Sequence, residues 1–363
     1  MRVPHLLHVF SNFVPTGPEL RTVELIGAFG RSFRHSIVSM DGRTSAAERL
    51  SPDAGVRLLP EPPKAGSLAT ARRLRKLLEE EQPDLVLTYG WGAFDTLFAA
   101  RSLGFRRVIH HEEGFNEDEA EQFKSRRIWA RRLVLPGAAA VVVPSERLKT
   151  IAVDLWRLSP ERVRLIPNGI RLDRFNPADG NPELRAQLGI PAGALVVGTA
   201  GSLRPVKNHA RLLEAVAKVP EVHLLLVGDG EERPALERRA AAPDLAGRVC
   251  FAGYRETPAP FYQAMDVFAL SSDSEQMPLA LIEAMASSLP AVSTDVGDVR
   301  AMLPPEQAPF LGADLAGPLA ELARASGLRR QLGDLNRKRA EERYSFEALC
   351  AAYRELYQSV LTS

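Results

Sequence analysis

Short apolar runs alternate with longer amphipathic segments along most of the chain. Apolar runs of about 4–8 residues bounded by turn residues are typical of buried strands. They predict strands at His5–Phe10, 35–40, 55–59, 84–88, 107–111, 138–143, 163–167, 194–201, Val222–Val227, 248–251, 266–270 and 291–294. The segments between many of these runs have the composition and spacing of helices. Alternating strands and helices indicate an α/β fold with parallel sheets covered on both faces.

One stretch, residues 271–290 (SSDSEQMPLALIEAMASSLP), combines this pattern with candidate chemistry. The apolar run 266–270 predicts the preceding strand. Pro278 fits the first position of a helix, where its missing N–H is tolerated. Residues Leu279–Ala286 are rich in good helix formers, and Pro290 ends the helix. Two carboxylates, Glu275 in the loop and Glu283 in the helix, therefore flank a predicted helix N-terminus.

A helix N-terminus offers unpaired N–H groups and a partial positive charge, which suit a phosphate group. Glu283 lies about 7–8 Å along the axis inside this end. A carboxylate accepts hydrogen bonds from sugar hydroxyls. The layout of one carboxylate on each side of a diphosphate matches a nucleotide-sugar. The alternative interpretation is that both glutamates are solvated surface charges.

Four further segments accompany this stretch. They are 165–170 (LIPNGI) with Arg174 and Phe175, then 201–208 (GSLRPVKN), 224–232 (LLLVGDGEE) and 249–254 (VCFAGY). With Glu275 and Glu283 as an E-x7-E pair, the set resembles the family 4 retaining glycosyltransferases of the GT-B fold, in the same order along the chain. The resemblance is strong over about residues 160–300 and weak in the first half.

This resemblance implies two Rossmann-like, doubly wound domains with a cleft between them. We expect an acceptor-binding domain at 1–176 and a nucleotide-sugar domain at 177–344, with a linker near 176–181. A final helix at about 345–363 is expected to pack back on the first domain.

The resemblance also implies the site residues. The donor site would contain Gly17, Gly201, Arg204, Lys207, Gly228, Tyr254, Arg255, Glu275, Met277, Pro278, Leu279 and Glu283. Glu283 would bind ribose and Glu275 the donor sugar. Backbone groups near Tyr254 and Arg255 would read the base. His110 or His111, at the end of a predicted strand, would lie near the reacting sugar and join Glu275, Arg204 and Lys207 as catalytic residues.

Two positions depart from the family pattern. Ser202 stands where the family has an arginine, and we expect Arg204 to supply the missing charge beside Lys207. The first loop, usually G-G, has only Gly17, because Pro18 replaces the second glycine. The dinucleotide fingerprint G-x-G-x-x-G is absent after the first strand. We therefore expect no cofactor and no metal ion, with protein cations stabilising the departing diphosphate.

Composition is that of an ordinary globular chain, with 45% hydrophobic and 25% charged residues and a net charge of +1. The N-terminus lacks a signal-peptide pattern, and Cys250 and Cys350 have no metal or disulfide spacing, so we expect a cytoplasmic protein. No apolar run is long enough to span a membrane. We expect no nucleic-acid partner.

The first half carries more basic than acidic residues, and the second half the reverse. A predicted helix at 122–135 combines basic residues with Trp129, which suits peripheral contact with an anionic membrane at its inner face. Its basic residues are Lys124, Arg126, Arg127, Arg131 and Arg132. The alternative is that the helix packs its apolar stripe on the domain.

The sequence thus favours a retaining glycosyltransferase that uses a nucleotide-diphosphate sugar and a saccharide or lipid-linked acceptor, in cell-envelope or exopolysaccharide synthesis. Two alternatives remain open at this point. One is a non-catalytic nucleotide-sugar-binding partner, and the other is a sugar-nucleotide epimerase of the same fold.

Overall fold

The computed structural model describes residues 2–62, 66–114, 124–177 and 180–362. The chain divides into two compact units. One unit is Met1–Pro167 with Cys350–Ser363, and the other is Asn168–Leu349. Each unit is built on its own parallel sheet.

Seven strands form the sheet of the first unit within its described residues, in the order β3-β2-β1-β4-β5-β6-β7. Their bounds are β1 His5–Phe10, β2 Arg34–Ser39, β3 Arg57–Leu59, β4 Leu85–Tyr89, β5 Val108–His111, β6 Ala140–Val143 and β7 Val163–Leu165. The helices are α1 Gly17–Phe29, α2 Ser67–Glu81, α3 Asp95–Ser102, α4 Ser125–Val134 and α5 Glu146–Thr150. The central strands are buried, as expected for a parallel sheet covered on both faces.

Five strands form the sheet of the second unit, in the order β10-β9-β8-β11-β12. They are β8 Leu195–Ala200, β9 Val222–Val227, β10 Val249–Gly253, β11 Val267–Leu270 and β12 Ala291–Ser293. The helices are α6 Pro182–Gln187, α7 His209–Ala217, α8 Arg233–Ala240, α9 Ala259–Gln263, α10 Leu279–Ala286, α11 Val299–Met302, α12 Ala316–Arg324 and α13 Ser326–Arg343. Both sheets reverse their strand order beside the first strand, which is the doubly wound Rossmann pattern.

The predicted elements are present, and their ends differ where glycine or proline decides the backbone. Gly55 adopts a left-handed φ of 60°, so β3 begins at Arg57 rather than at residue 55. The first helix begins at Gly17, with Pro18 in its first turn, whereas the sequence placed Gly17 in a loop. Pro278 precedes α10 as its N-cap, with an extended ψ of 118°, and is not the first helical residue.

The boundary between the units lies earlier than the predicted 176–181. Residues from Asn168 belong to the second unit. Ile170 and Phe175 are buried in its core cluster, and Ile170 forms a bridge with Ser345. Because these two apolar side chains are buried in that core, the residues after β7 pack in the second unit. Residues 178–179 of the predicted linker lie outside the described residues.

The last helix, α14 Phe346–Thr362, contributes its residues from Cys350 onward to the first unit. Tyr357 packs edge-on against Phe29 and Phe33, and Tyr353 stacks near His111. Both tyrosines are buried. Through these aromatic contacts, the C-terminal part of α14 packs in the first unit.

Helix α4 does not have the surface predicted for it. Arg127 and Arg131 are buried, with their guanidinium groups over the Trp91 ring at 5.0 and 5.2 Å. Arg131 also donates from Nε to the buried Glu112 carboxylate at 2.9 Å. Trp129 and Leu133 are exposed instead. The predicted basic surface is therefore wrong for these two arginines, and so is the alternative of an inward apolar stripe for Trp129 and Leu133.

No helix among the described residues is both long enough and apolar enough to cross a bilayer. The described ranges also contain no group of three or more His, Cys, Asp or Glu side chains placed to hold a metal ion. Cys250 and Cys350 form no disulfide within the described ranges and are only partly buried.

Histidines form part of the first sheet's interior. His5, His8, His35, His110 and His111 are all buried. His8 and His35 share a hydrogen bond of 3.0 Å between ring nitrogens, and His8 also pairs with the Tyr89 hydroxyl at 3.1 Å. Burial lowers the pKa of His35 to about 4 and that of His8 well below its usual value. Both histidine rings are therefore uncharged in the folded protein at neutral pH.

We predict that acid destabilises the first unit through His35. In the unfolded chain the His35 ring takes up a proton near pH 6.5, whereas in the folded protein it stays neutral down to about pH 4. Stability is therefore lost as pH falls below 6.5, by about 2 kcal/mol at pH 5. All three tryptophans of the chain, Trp91, Trp129 and Trp156, lie in the first unit, so urea unfolding followed by tryptophan fluorescence reports on this unit.

His35→Gln removes the titrating ring and keeps a group that can pair with His8. Its loss of stability between pH 7 and 5 should be smaller than that of the parent by about 2 kcal/mol. His223→Gln is the control. Burial also lowers the pKa of His223, but this histidine lies in the second unit, so the pH dependence of unfolding of the first unit should match that of the parent. Equal losses in parent and His35→Gln would exclude His35 as the source.

Candidate functional site

The candidate site lies at the carboxyl edge of the second sheet. Its strand order reverses between β8 and β11, so the segments that leave these two neighbouring strands diverge. Open parallel sheets bind ligands at this kind of reversal. Lys207 follows β8 and Glu275 follows β11. The fold therefore brings together two predicted site residues that are 68 positions apart.

Lys207 and Glu275 form an ion pair, with Nζ 2.5 Å from Oε1. Both side chains are largely buried, at 23% and 11% exposure. Ser272 donates its hydroxyl to the same oxygen at 2.7 Å, and Ser271 donates to the Lys207 carbonyl at 2.9 Å. The ammonium and the carboxylate are thus held next to each other by contacts within the protein.

Arg204 follows β8 in the same loop as Lys207, and its role at a diphosphate stays a prediction. Its side chain is exposed, and its Nε donates to the Ser202 hydroxyl at 3.0 Å. The guanidinium therefore reaches back to the residue that replaces the family arginine. A cation at Arg204 and another at Lys207 lie in one loop after β8.

Glu283 lies in α10, and Tyr262 of α9 donates its hydroxyl to Glu283 Oε2 at 2.7 Å. Burial raises the pKa of Glu283 to about 7, and the Tyr262 hydrogen bond opposes that rise. As a whole residue, Glu283 is partly exposed. A carboxylate in this state gains or loses its proton near neutral pH.

Residues before α10 are fixed by a contact within the second unit. Met277 is buried, and its carbonyl accepts a hydrogen bond from Asn168 Nδ2 at 3.1 Å. Pro278 and the partly buried Leu279 then lead into the helix. Asn168 thus anchors the helix start on which the predicted diphosphate site depends.

Glycines serve different purposes around the site. Gly201 has a φ of 152° and open space where a Cβ would be, which leaves its backbone approachable. A Cβ on Gly228 would lie 1.8 Å from the Gly201 carbonyl oxygen. Packing between these two loops therefore requires a glycine at position 228. This packing explains the glycine without a close contact to a ligand.

The residues predicted to read the base follow β10. Tyr254 is 61% exposed, and the exposed Arg255 places its guanidinium 5.2 Å from the Phe261 ring centre. Their backbone lies at the same carboxyl edge as Lys207 and Glu275. Their role at the base stays a prediction.

The predicted residues of the first unit are less accessible. His110 and His111 are fully buried. His110 Nδ1 pairs with the Thr88 hydroxyl at 2.8 Å, and His111 Nδ1 pairs with the Thr88 carbonyl at 3.2 Å. Neither ring is exposed to a ligand in this conformation, so a catalytic role for either stays a prediction. Residues 115–123, which follow this strand, lie outside the described residues.

Comparison with known proteins identifies the family. A family model described as Glycosyltransferase Family 4 matches residues 15–174, and one described as Glycosyl transferases group 1 matches residues 194–325. The chain is 30% identical over 307 residues to the putative glycosyltransferase EpsF of Bacillus subtilis, covering 80% of this chain and 79% of EpsF. The chain belongs to the family 4 glycosyltransferases.

A second relative supports this family, and a solved structure supports the fold. The lipopolysaccharide core biosynthesis glycosyltransferase LpsE of Rhizobium meliloti is 34% identical over 215 residues, which are 54% of this chain and 58% of LpsE. The crystal structure of Anabaena Alr3699/HepE in complex with UDP matches with a TM-score of 0.85 and 20% identity, covering 98% of this chain and all of that one. The two Rossmann-like units are those of a GT-B glycosyltransferase.

Sequence reasoning missed several residues that support this candidate site. Asn168, Tyr262 and Ser272 hold Met277, Glu283 and Glu275 through the hydrogen bonds described above. The pairing of Tyr262 with Glu283 crosses 21 positions and two elements, so no local spacing signals it.

Gly297 is a further support. Its φ is 57°, and a Cβ there would lie 2.4 Å from the Glu275 carbonyl oxygen and 2.7 Å from that of Gln276. Asp298 N–H also donates to the Gln276 carbonyl at 3.0 Å. The turn after β12 thus packs directly on the loop that carries Glu275.

We predict that Gly297→Ala displaces the Glu275 loop. The left-handed backbone adds about 1–2 kcal/mol of strain to the steric overlap. If the transition state loses stabilisation of that size and the ground state does not, kcat/KM for sugar transfer falls by about tenfold. Gly312→Ala is the matched control, since Gly312 has open space around its Cβ position and no left-handed φ. Full activity in Gly297→Ala would show that this packing does not position Glu275.

Proposed function

We propose that this glycosyltransferase retains anomeric configuration and transfers a sugar from a nucleotide-diphosphate donor to a hydroxyl of a saccharide or lipid-linked acceptor. The observation that carries the proposal is the Lys207–Glu275 ion pair at the reversal of the second sheet, four residues before α10. It supplies a cation for a diphosphate and a carboxylate for sugar hydroxyls within one loop pair.

The remaining residues are assigned around this pair. Glu283 binds the ribose hydroxyls, and Glu275 binds the donor sugar. Lys207, Arg204 and the start of α10 bind the diphosphate. The bond from the anomeric carbon to the diphosphate oxygen breaks, and the acceptor oxygen bonds to that carbon from the same face, so the configuration is retained. The diphosphate leaves with the electron pair, and the hydroxyl proton is released with it.

The protein cations favour a metal-independent reaction without a cofactor. Charge accumulates on the diphosphate as the glycosidic bond breaks, so fixed cations act mainly in the transition state. Lys207 is paired with Glu275, whose carboxylate also accepts a hydrogen bond from the Ser272 hydroxyl. Little reorganisation is then needed when the leaving group forms.

The acceptor and pathway are proposed from the relatives. LpsE is described as a lipopolysaccharide core biosynthesis enzyme, which supports a role in cell-envelope or exopolysaccharide synthesis. The HepE structure is a complex with UDP, so UDP-sugars are the first donors to test.

We also propose a cytoplasmic protein with peripheral contact at the inner membrane face. The support is the exposed Trp129 and Leu133 of α4, with Arg126 exposed on the same helix. An exposed tryptophan beside a cation suits an anionic headgroup region. Co-sedimentation with phosphatidylglycerol vesicles tests this contact, and its absence at low salt would exclude it.

The decisive experiment is turnover of UDP-, GDP-, ADP- and CMP-sugars with a membrane and saccharide extract as acceptor, in the presence of EDTA. We expect release of one nucleoside diphosphate and a glycoside of the donor's anomeric configuration by NMR. Inverted configuration would refute retention, and activity that EDTA abolishes and Mg²⁺ restores would refute metal independence. Epimerised donor without transfer would favour the epimerase alternative, and binding without turnover the non-catalytic one.

We predict that Arg204 supplies the charge missing at Ser202. Arg204→Ala should lower kcat by at least about 10²-fold, the usual effect of removing one preorganised donor. Arg204→Lys should recover only part, because lysine lacks the bidentate fork. Since Arg204 Nε contacts the Ser202 hydroxyl, adding Ser202→Arg to Arg204→Ala should restore activity.

Arg238→Ala, at an exposed arginine of α8, is the control for loss of surface charge and should leave kcat unchanged. If Arg204→Ala has the kcat of the parent, Arg204 does not contact the leaving group, and Lys207 alone supplies the charge from this loop.

A further inference from the structure

Tyr262 is buried and directed at Glu283. Its side chain has no solvent exposure, and its hydroxyl lies 2.7 Å from Glu283 Oε2. Burial raises the pKa of this phenol well above its usual value, so the hydroxyl keeps its proton and donates it. Among the described residues, this is the hydrogen bond that the Glu283 carboxylate accepts.

The tyrosine ring cannot easily move away from this contact. It packs edge-on against Phe175 at 5.8 Å and beside Phe268 of β11 at 6.1 Å. The chain around α9 is tied down on both sides of Tyr262. Asn181 Nδ2 donates to the Pro260 carbonyl, and Arg185 Nε donates to the Ala264 carbonyl. The phenol is therefore a fixed donor.

We propose that Tyr262 is a positioning residue of the donor site, whose hydroxyl holds the Glu283 carboxylate in the orientation and charged form that accept ribose hydroxyls. This inference rests on the proposed contact of Glu283 with ribose. With Oε2 occupied by the phenol, the carboxylate presents its remaining acceptor capacity from a defined orientation. A group that is oriented beforehand loses less conformational freedom when the nucleotide binds.

Charged groups near Glu283 are engaged elsewhere. On α13, which packs against α10, Arg337 donates to the carbonyls of Phe175 and Ala286. In the loop before α10, Glu275 is paired with Lys207. Burial and the Tyr262 hydroxyl are the two influences on the Glu283 pKa, acting in opposite directions. The phenol thus offsets the burial of a carboxylate that has no cation beside it in the part of the chain that the structure describes.

The direction of the pH effect follows. Ribose hydroxyls donate to the charged carboxylate, so ribose recognition improves as pH rises through about 7, where Glu283 loses its proton. Loss of the phenol removes a hydrogen bond to a charged group. That raises the pKa of Glu283 further, by about one pH unit. A purely structural tyrosine would change stability and leave this midpoint in place.

The test compares UDP with 2′,3′-dideoxyuridine diphosphate by titration calorimetry between about pH 6 and 9. If the donor panel selects another base, the corresponding diphosphate pair is used. Both nucleotides carry the same diphosphate, so the ratio of their dissociation constants isolates ribose recognition. In the parent, the preference for UDP should grow as pH rises through about 7. In Tyr262→Phe, the midpoint should move up by about one unit, and the preference at pH 7 should fall about fivefold.

Tyr344→Phe is the matched control. It removes the hydroxyl of another buried tyrosine of the second unit, which donates to the Met302 carbonyl and not to Glu283. Its pH profile should match that of the parent. Circular dichroism establishes that both variants are folded. A flat profile in the parent between pH 6 and 9 overturns the inference even if Tyr262→Phe does not fold.

Glu283→Gln separates this inference from the function on which it rests. It should have a weak preference for UDP that does not vary with pH. If Glu283→Gln keeps the parent's preference, the proposed ribose contact is wrong. If it loses the preference while Tyr262→Phe titrates like the parent, the ribose contact stands and the role of Tyr262 is overturned.

Discussion

The reversal of strand order beside β8 is the constraint on which the donor site depends. All strand pairs of the second sheet are parallel, so the ends of β8, β9, β10, β11 and β12 lie on one edge. The segments after β8 and β11 diverge from adjacent strands, and a ligand can approach between them. The Lys207–Glu275 ion pair spans this gap.

Several supports keep these groups in place without a ligand. Ser272 contacts the Glu275 carboxylate, Gly297 packs on the Glu275 backbone, and Asn168 holds the Met277 carbonyl. Each support comes from a different part of the second unit. Polar groups that are already oriented stabilise developing charge at little reorganisation cost, which is what transfer from a diphosphate requires.

Several polar side chains are buried among the sheet and helices of the first unit. Arg131 is enclosed by Glu112, Trp91 and Trp156, and this combination of an ion pair and two aromatic faces offsets the loss of water. His8 and His35 stay neutral by burial. These groups favour one arrangement of the sheet at neutral pH, because a buried charge without a partner is costly.

The sequence by itself determined the α/β fold, the Rossmann-like pattern and most strands and helices, because these depend on local apolar periodicity and on glycine and proline. It also proposed Glu275 and Glu283 as site residues, from their place beside a predicted helix end, and Lys207 from the resemblance to the family. Only the tertiary structure decided that Lys207 meets Glu275, that Tyr262 meets Glu283 and that Arg127 and Arg131 face inward while Trp129 faces outward. Such contacts join residues far apart in the chain, and their energy depends on burial and on partners from other elements, which a periodic pattern does not encode.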